Sequence, residues 1–135
     1  MLSSSDTNHL LEVAERAASK AYAPFSSFRV GAAILTKAGN CFMGCNVENR
    51  SYGLTLCAER NAIAAAVASE GGETLKIRAV AVVSQGRVTC TPCGACRQCI
   101  DEFAGSDTVV LFYRDGQIQE RAIAQLLPDS FKLKS

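Results

Sequence analysis

Ile77-Arg78-Ala79-Val80-Ala81-Val82-Val83-Ser84 is an apolar, β-branched run of strand length. Helical stretches stand on both sides of it. Residues 57–70 are rich in alanine and other helix formers and stop at Gly71-Gly72, and residues 94–103 follow the turn at Thr91-Pro92. A strand set between helices belongs to a sheet covered by helices.

Upstream, Leu10, Leu11, Ala14, Ala17, Ala18 and Ala21 recur at helical spacing after a polar start, predicting an amphipathic helix over residues 6–21. Tyr22 to Ser27 breaks it. Residues 29–37 then read as a strand that turns at Ala38-Gly39-Asn40 into a second strand over 41–47, a hairpin followed by a polar loop at 48–56. Downstream, residues 108–113 predict a strand, Asp115-Gly116 a turn, a short edge segment surrounds Ile118, and a last helix over 123–127 ends at Pro128. The order αββαβαβ(β)α predicts a three-layer α/β/α sandwich with a mixed sheet of about five strands, residues 1–135 forming one domain without internal repeats.

The chain has 135 residues, 48% hydrophobic and 20% charged, with a formal charge of +1. That balance leaves no broad positive footprint for a polynucleotide, so a small neutral substrate is expected and nucleic acid is not. The first residues lack a basic segment followed by an apolar run, and no apolar stretch approaches a membrane span, which predicts a cytoplasmic protein without a membrane partner. In such a compartment seven cysteines read as metal ligands and buried thiols rather than disulfides. Cys41 and Cys45 lie in an alternating apolar stretch and read as small buried hydrophobes.

Chemistry concentrates at Cys57-Ala58-Glu59 and Pro92-Cys93-Gly94-Ala95-Cys96, both at predicted helix starts. Cys57, Cys93 and Cys96 would give a zinc ion three thiolates and leave its fourth position to water, the pattern of a catalytic rather than a structural site. Helix N-termini favour the thiolate form. Glu59, two residues after a ligand, is placed to carry a proton between that water and a substrate. Three thiolates on a dication leave a net charge of minus one, so Arg60 is expected to hydrogen-bond a ligand sulfur and offset it. Cys90, Cys93, Cys96 and Cys99, evenly spaced, could instead close a four-cysteine zinc site or hold an iron–sulfur cluster. That alternative leaves Cys57-Ala58-Glu59 unexplained; otherwise Cys90 and Cys99 are packing or spare thiols. His9, the sole histidine, is given no role.

Cys-x-Glu followed by Pro-Cys-x-x-Cys resembles the zinc deaminase signature, with Cys in place of His. The likeness to the small, homotetrameric cytidine deaminases runs through Pro24-Phe25-Ser26-Ser27-Phe28, Val30-Gly31-Ala32-Ala33, Gly44-Cys45-Asn46-Val47-Glu48-Asn49, Cys57-Ala58-Glu59-Arg60, Pro92-Cys93-Gly94-Ala95-Cys96-Arg97-Gln98 and Leu126-Leu127-Pro128-Asp129-Ser130-Phe131. This resemblance implies hydrolysis of cytidine and 2′-deoxycytidine to the uridines and ammonia, by zinc-bound hydroxide attack at C4, in pyrimidine salvage. It implies one zinc per chain, Asn46 and Glu48 on the ribose hydroxyls, Phe28 against the pyrimidine, and the Ala58 N–H with the carbonyl of Thr91 or Pro92 on the base or its amine. Tyr52 and Phe131 match positions that reach a neighbouring subunit's site, implying a homotetramer with shared active sites. A modified cytosine nucleoside such as blasticidin S as substrate, or a non-catalytic zinc-binding module, stand as alternatives.

Overall fold

The computed structural model describes residues 2–133. Its strands are β1 (Val30–Thr36), β2 (Cys41–Cys45), β3 (Ile77–Ser84), β4 (Ala104–Arg114) and β5 (Gln117–Ala122), in the spatial order β2-β1-β3-β4-β5. The β3–β4 pair is parallel and the other three are antiparallel. The parallel pair follows from its connection, because a strand that returns in the same direction needs a crossover, supplied here by helix α3 (Gly94–Glu102).

Alternation along the strands divides the core. Ala33, Ala79, Ala81, Val83 and Leu111 face helix α1 (Ser4–Ala18), which contributes Leu10, Leu11, Val13 and Ala14. Ala32, Ile34, Val80, Val82 and Phe112 face the opposite layer, where α2 (Ala58–Glu70) and α3 add Ala62, Ile63 and Ile100. Helix α4 (Ile123–Leu126) closes that layer with Ile123. The result is the predicted α/β/α sandwich with a five-stranded mixed sheet. Two glycines let the layers meet. A Cβ on Gly31 would stand 1.9 Å from the Ala14 carbonyl oxygen, and one on Gly44 would stand 2.5 Å from Ala62 N and 2.6 Å from the Ala58 carbonyl oxygen.

Four of the boundaries that differ from the sequence reading show the reason. Helix α1 stops at Ala18, with the Ser19 N–H bonded back to Glu15 and Ala17, three residues short of the predicted end. Ala21 is buried for another reason: the chain turns there so that Tyr22 N donates to Asn46 O (3.0 Å) and Glu48 N to Tyr22 O (2.8 Å). Strand β2 ends at Cys45 because Val47 leaves β1 and exchanges two 2.9 Å bonds with Leu56. Strand β4 begins at Ala104, where Thr108 Oγ1 accepts from Gly105 N and donates to the Ile77 carbonyl across an irregular stretch. Strand β5 is a full six-residue edge, which its mostly polar sequence, with no residue buried, concealed.

Candidate active site

The antiparallel Val47–Leu56 bridge determines what meets what. It ties the end of β2 to the residue before Cys57, so Asn46 comes opposite Cys57, and Glu48 opposite Thr55. Asn61 reinforces the join by donating its Nδ2 to the Cys45 carbonyl at 2.8 Å. Cys57 is the N-cap residue of α2 and Cys93 that of α3, each extended at the backbone, and Cys96 lies within the first turn of α3. Two helix N-termini thus converge, and the Sγ atoms of Cys57, Cys93 and Cys96 all lie within 4.8 Å of one another.

That spacing suits zinc. Tetrahedral Zn–S bonds of about 2.3 Å separate their sulfurs by about 3.8 Å, which lies inside the 4.8 Å limit of the trio. Among the described residues no other group of three or more cysteine, histidine or carboxylate side chains is gathered closely enough, so neither Cys90 nor Cys99 joins the cluster. Both pack partly buried against the core, and the four-cysteine alternative is not what the fold assembles. Burial, then the negative charges of Glu59 and Cys57, push the Cys96 thiol up, a cost that a dication among the sulfurs reverses. At Cys93, slight burial is outweighed by the backbone N–H groups of Cys96 and Ala95 and by the Cys96 thiol, so its pKa falls. Cys90 is pushed up to about 11 by burial and then by the charge of Glu59, which keeps it a protonated thiol.

Glu59 is 5% exposed. Burial raises its pKa against the opposing pull of its own backbone N–H, the Cys96 thiol and Arg60, so it is a carboxyl able to hold a proton. Arg60 donates from Nη2 to Cys57 Sγ at 3.2 Å, while its Nε is buried without an acceptor among the described residues. Ala58 begins α2, so its N–H lies among the first-turn donors that have no partner inside the helix.

Asn46 and Glu48 already work within the chain. Asn46 Oδ1 accepts from Val30 N and its Nδ2 donates to the Phe28 carbonyl, both at 2.9 Å. Glu48 Oε1 accepts from Phe25 N (2.9 Å) and Ser26 N (3.2 Å), and Oε2 takes a short bond from the Ser26 hydroxyl. The Ser26 hydroxyl first, then these N–H groups, hold the Glu48 carboxyl below the usual range despite slight desolvation. Ser27, at φ 60°, keeps its left-handed backbone between these anchors, and the loop presents a half-exposed Phe28. Tyr52 is 75% exposed, touching the edge of Phe25 at 5.9 Å between centroids, and Phe131 is 67% exposed.

Sequence reasoning assigned nothing to Ser26, Asn61 or Arg97. Arg97 Nε donates to the Pro92 carbonyl at 2.7 Å and Nη1 to the Leu126 carbonyl at 2.9 Å. Each of these side chains has a partner far away in sequence: Ser26 the Glu48 carboxylate, Asn61 the Cys45 carbonyl and Arg97 the Leu126 carbonyl. The only available signal was the location of Ser26 and Arg97 inside blocks already recognised.

Residues 4–112 match the family model described as the cytidine and deoxycytidylate deaminase zinc-binding region. A cytidine deaminase of Sporosarcina psychrophila is 45% identical over 127 residues, covering 93% of this chain and 91% of that one. The crystal structure of cytidine deaminase from Mycobacterium tuberculosis superimposes with a TM-score of 0.83 at 41% identity, covering 95% of this chain and 98% of that one. That from Burkholderia pseudomallei gives 0.81 at 44%, covering 92% and 98%. With three cysteine sulfurs gathered at two helix starts beside a buried glutamate, the chain belongs to the cytidine and deoxycytidylate deaminase zinc-binding family.

Proposed function

We propose that this chain hydrolyses cytidine and 2′-deoxycytidine to uridine and 2′-deoxyuridine, releasing ammonia, as a step of pyrimidine salvage. The observation that carries the reading is the trio Cys57, Cys93 and Cys96 with Glu59 buried next to it. Zinc held by the three sulfurs supplies Lewis-acid activation of water. Glu59 accepts a proton from the attacking water and gives it to N3 of the cytosine ring, leaving C4 short of electrons; it then carries the second water proton to the departing 4-amino group. One water enters, one ammonia leaves, and the C4 oxygen remains as the carbonyl of uracil.

The surrounding residues bind and orient. Phe28 covers a face of the base, and the Ala58 N–H donates to its carbonyl. The Pro92 carbonyl is engaged by Arg97, which favours the Thr91 carbonyl as acceptor for the 4-amino group. Asn46 and Glu48 reach the ribose with the amide proton and lone pairs their internal bonds leave spare. A sugar lacking the gripped hydroxyl would leave these groups unpaired, which makes the site demand a nucleoside.

The exposure of Tyr52 and Phe131 fits aromatics that enter a neighbouring copy's site, so we assign a homotetramer with shared active sites. All seven cysteines are free, and ligand thiols must stay reduced, which suits the cytoplasm. Among the described residues no helix is long and apolar enough to cross a membrane.

The test follows the ultraviolet absorbance of cytidine with wild type and with Glu59→Ala, the zinc content of each being counted beforehand. One zinc per chain in both and turnover only in wild type is expected. Zinc-loaded wild type that leaves cytidine and deoxycytidine untouched would refute the assignment, and modified cytosine nucleosides would be tried next.

A further inference from the structure

Cys93 is exposed, whereas Cys57 is half-buried and Cys96 buried, and it is reached by the least regular path. Between β3 and α3 the chain is held at Val88, whose carbonyl accepts from Ser84 Oγ at 2.7 Å, and at Thr89, whose Oγ1 accepts from Asp115 N at 3.0 Å. Into residues 90–92, among the described residues, the hydrogen bond comes from a single side chain, Arg97. The proline ring already restricts rotation on one side of Pro92. A charge-assisted bond to its carbonyl restrains the other side, the peptide plane that carries Cys93.

The same guanidinium reaches the Leu126 carbonyl at the end of α4. One turn further along α3, Asp101, 7% exposed, accepts from Lys132 Nζ at 2.7 Å. The segment from Leu126 to Lys132 is therefore strapped along α3 at two points, and the first strap is shared with the ligand loop. Only arginine supplies a planar fork able to hold two carbonyls from separate segments at once.

We propose that Arg97 is a positioning residue for zinc: by holding the Pro92–Cys93 peptide it keeps the Cys93 sulfur in register with Cys57 and Cys96, and by holding Leu126 it couples this ligand to the C-terminal segment carrying Phe131. The inference rests on the three cysteines as zinc ligands and is independent of the substrate.

The experiment measures zinc transfer from loaded protein to a chromogenic chelator for wild type, Arg97→Gln, Arg97→Lys and Lys132→Gln, with a thermal melt of each. Arg97→Gln is expected to release zinc about 10- to 100-fold faster. Lys132→Gln, which cuts the second strap and leaves the Pro92 bond intact, keeps the wild-type rate whatever its melting temperature. Arg97→Lys, whose ammonium serves one carbonyl at a time, falls between. Wild-type release from Arg97→Gln, or equal acceleration by Lys132→Gln, would overturn the proposal. Should Arg97→Gln not fold, Arg97→Lys decides, and a wild-type rate there rejects it. Because release is read without substrate, a zinc-loaded wild type that turns over no nucleoside would sink the deaminase reading alone.

Discussion

Arg60 Nη2 lies 3.2 Å from Cys57 Sγ, three residues apart on the opening turn of α2. The side chain following Glu59 thus reaches back to the sulfur preceding it. Three thiolates on a zinc dication sum to minus one, and this guanidinium returns the site to near neutrality. The hydrogen bond to Cys57 in turn raises the pKa of Arg60, so the contact stays cationic.

Arg60→Gln is expected to keep one zinc per chain but to lower kcat/KM by about 10- to 100-fold. Loss of the positive charge makes ionisation at the metal harder, so the acid limb of the kcat/KM profile moves to higher pH. An unshifted limb would mean that Arg60 does not tune the site's charge.

Glu48 anchors the loop before Phe28 through a carboxylate whose pKa is depressed. A depressed folded pKa gives stability that is complete above the unfolded value, about 4.3, and is lost as pH falls from there through the folded value. Wild type should therefore melt above Glu48→Gln at pH 7, with the gap closing below about pH 4.3. A gap independent of pH would show that the charge is not the anchor.

Gly31→Ala and Gly44→Ala both force backbone apart, and each is expected to cost toward the upper end of about 1–3 kcal/mol, read as a lower melting temperature. Their effects on activity should differ. The Gly31 collision is with α1, on the far side of the sheet, whereas the Gly44 collision is with the Ala58 carbonyl and Ala62, in the turn carrying Cys57 and Glu59. Only Gly44→Ala should lose zinc or kcat in its folded fraction. Equal kcat losses would count against this division.

If Phe131 serves a neighbouring copy, Glu59→Gln and Phe131→Ala proteins, each feeble alone, should regain activity when unfolded together and reassembled. In the mixed oligomer some sites combine an intact Glu59 with a neighbour's intact Phe131. Mixtures no more active than the average of the two parents would place Phe131 in its own chain's site or in none.

Periodicity exposed the elements whose burial is one-sided or complete, such as α1 and β3, because apolar residues there must repeat with the local geometry. It failed where burial has a non-local cause. The helix seemed to run on to Ala21 because Ala21 is apolar and buried, yet what buries it is the Tyr22–Val47 bridge. Strand β5 is mostly polar with no buried residue, so its identity comes from pairing with β4 rather than from pattern.

The donor set was legible because its chemistry is written into residue type and short spacing: Cys57-x-Glu59 and Cys93-x-x-Cys96 each place their groups within one helical turn. That the two halves meet, and that Cys90 and Cys99 stay outside, was decided by the tertiary structure. The spacing between the halves, filled by the rest of α2, by β3 and by two connecting segments, carries no distance until the parallel β3–β4 pairing folds α3 back beside α2. The same holds for Asn46 on Val30, Ser26 on Glu48 and Arg97 on Pro92 and Leu126. A side chain's hydrogen-bonding capacity belongs to its residue type, but the group that satisfies it is chosen by the fold.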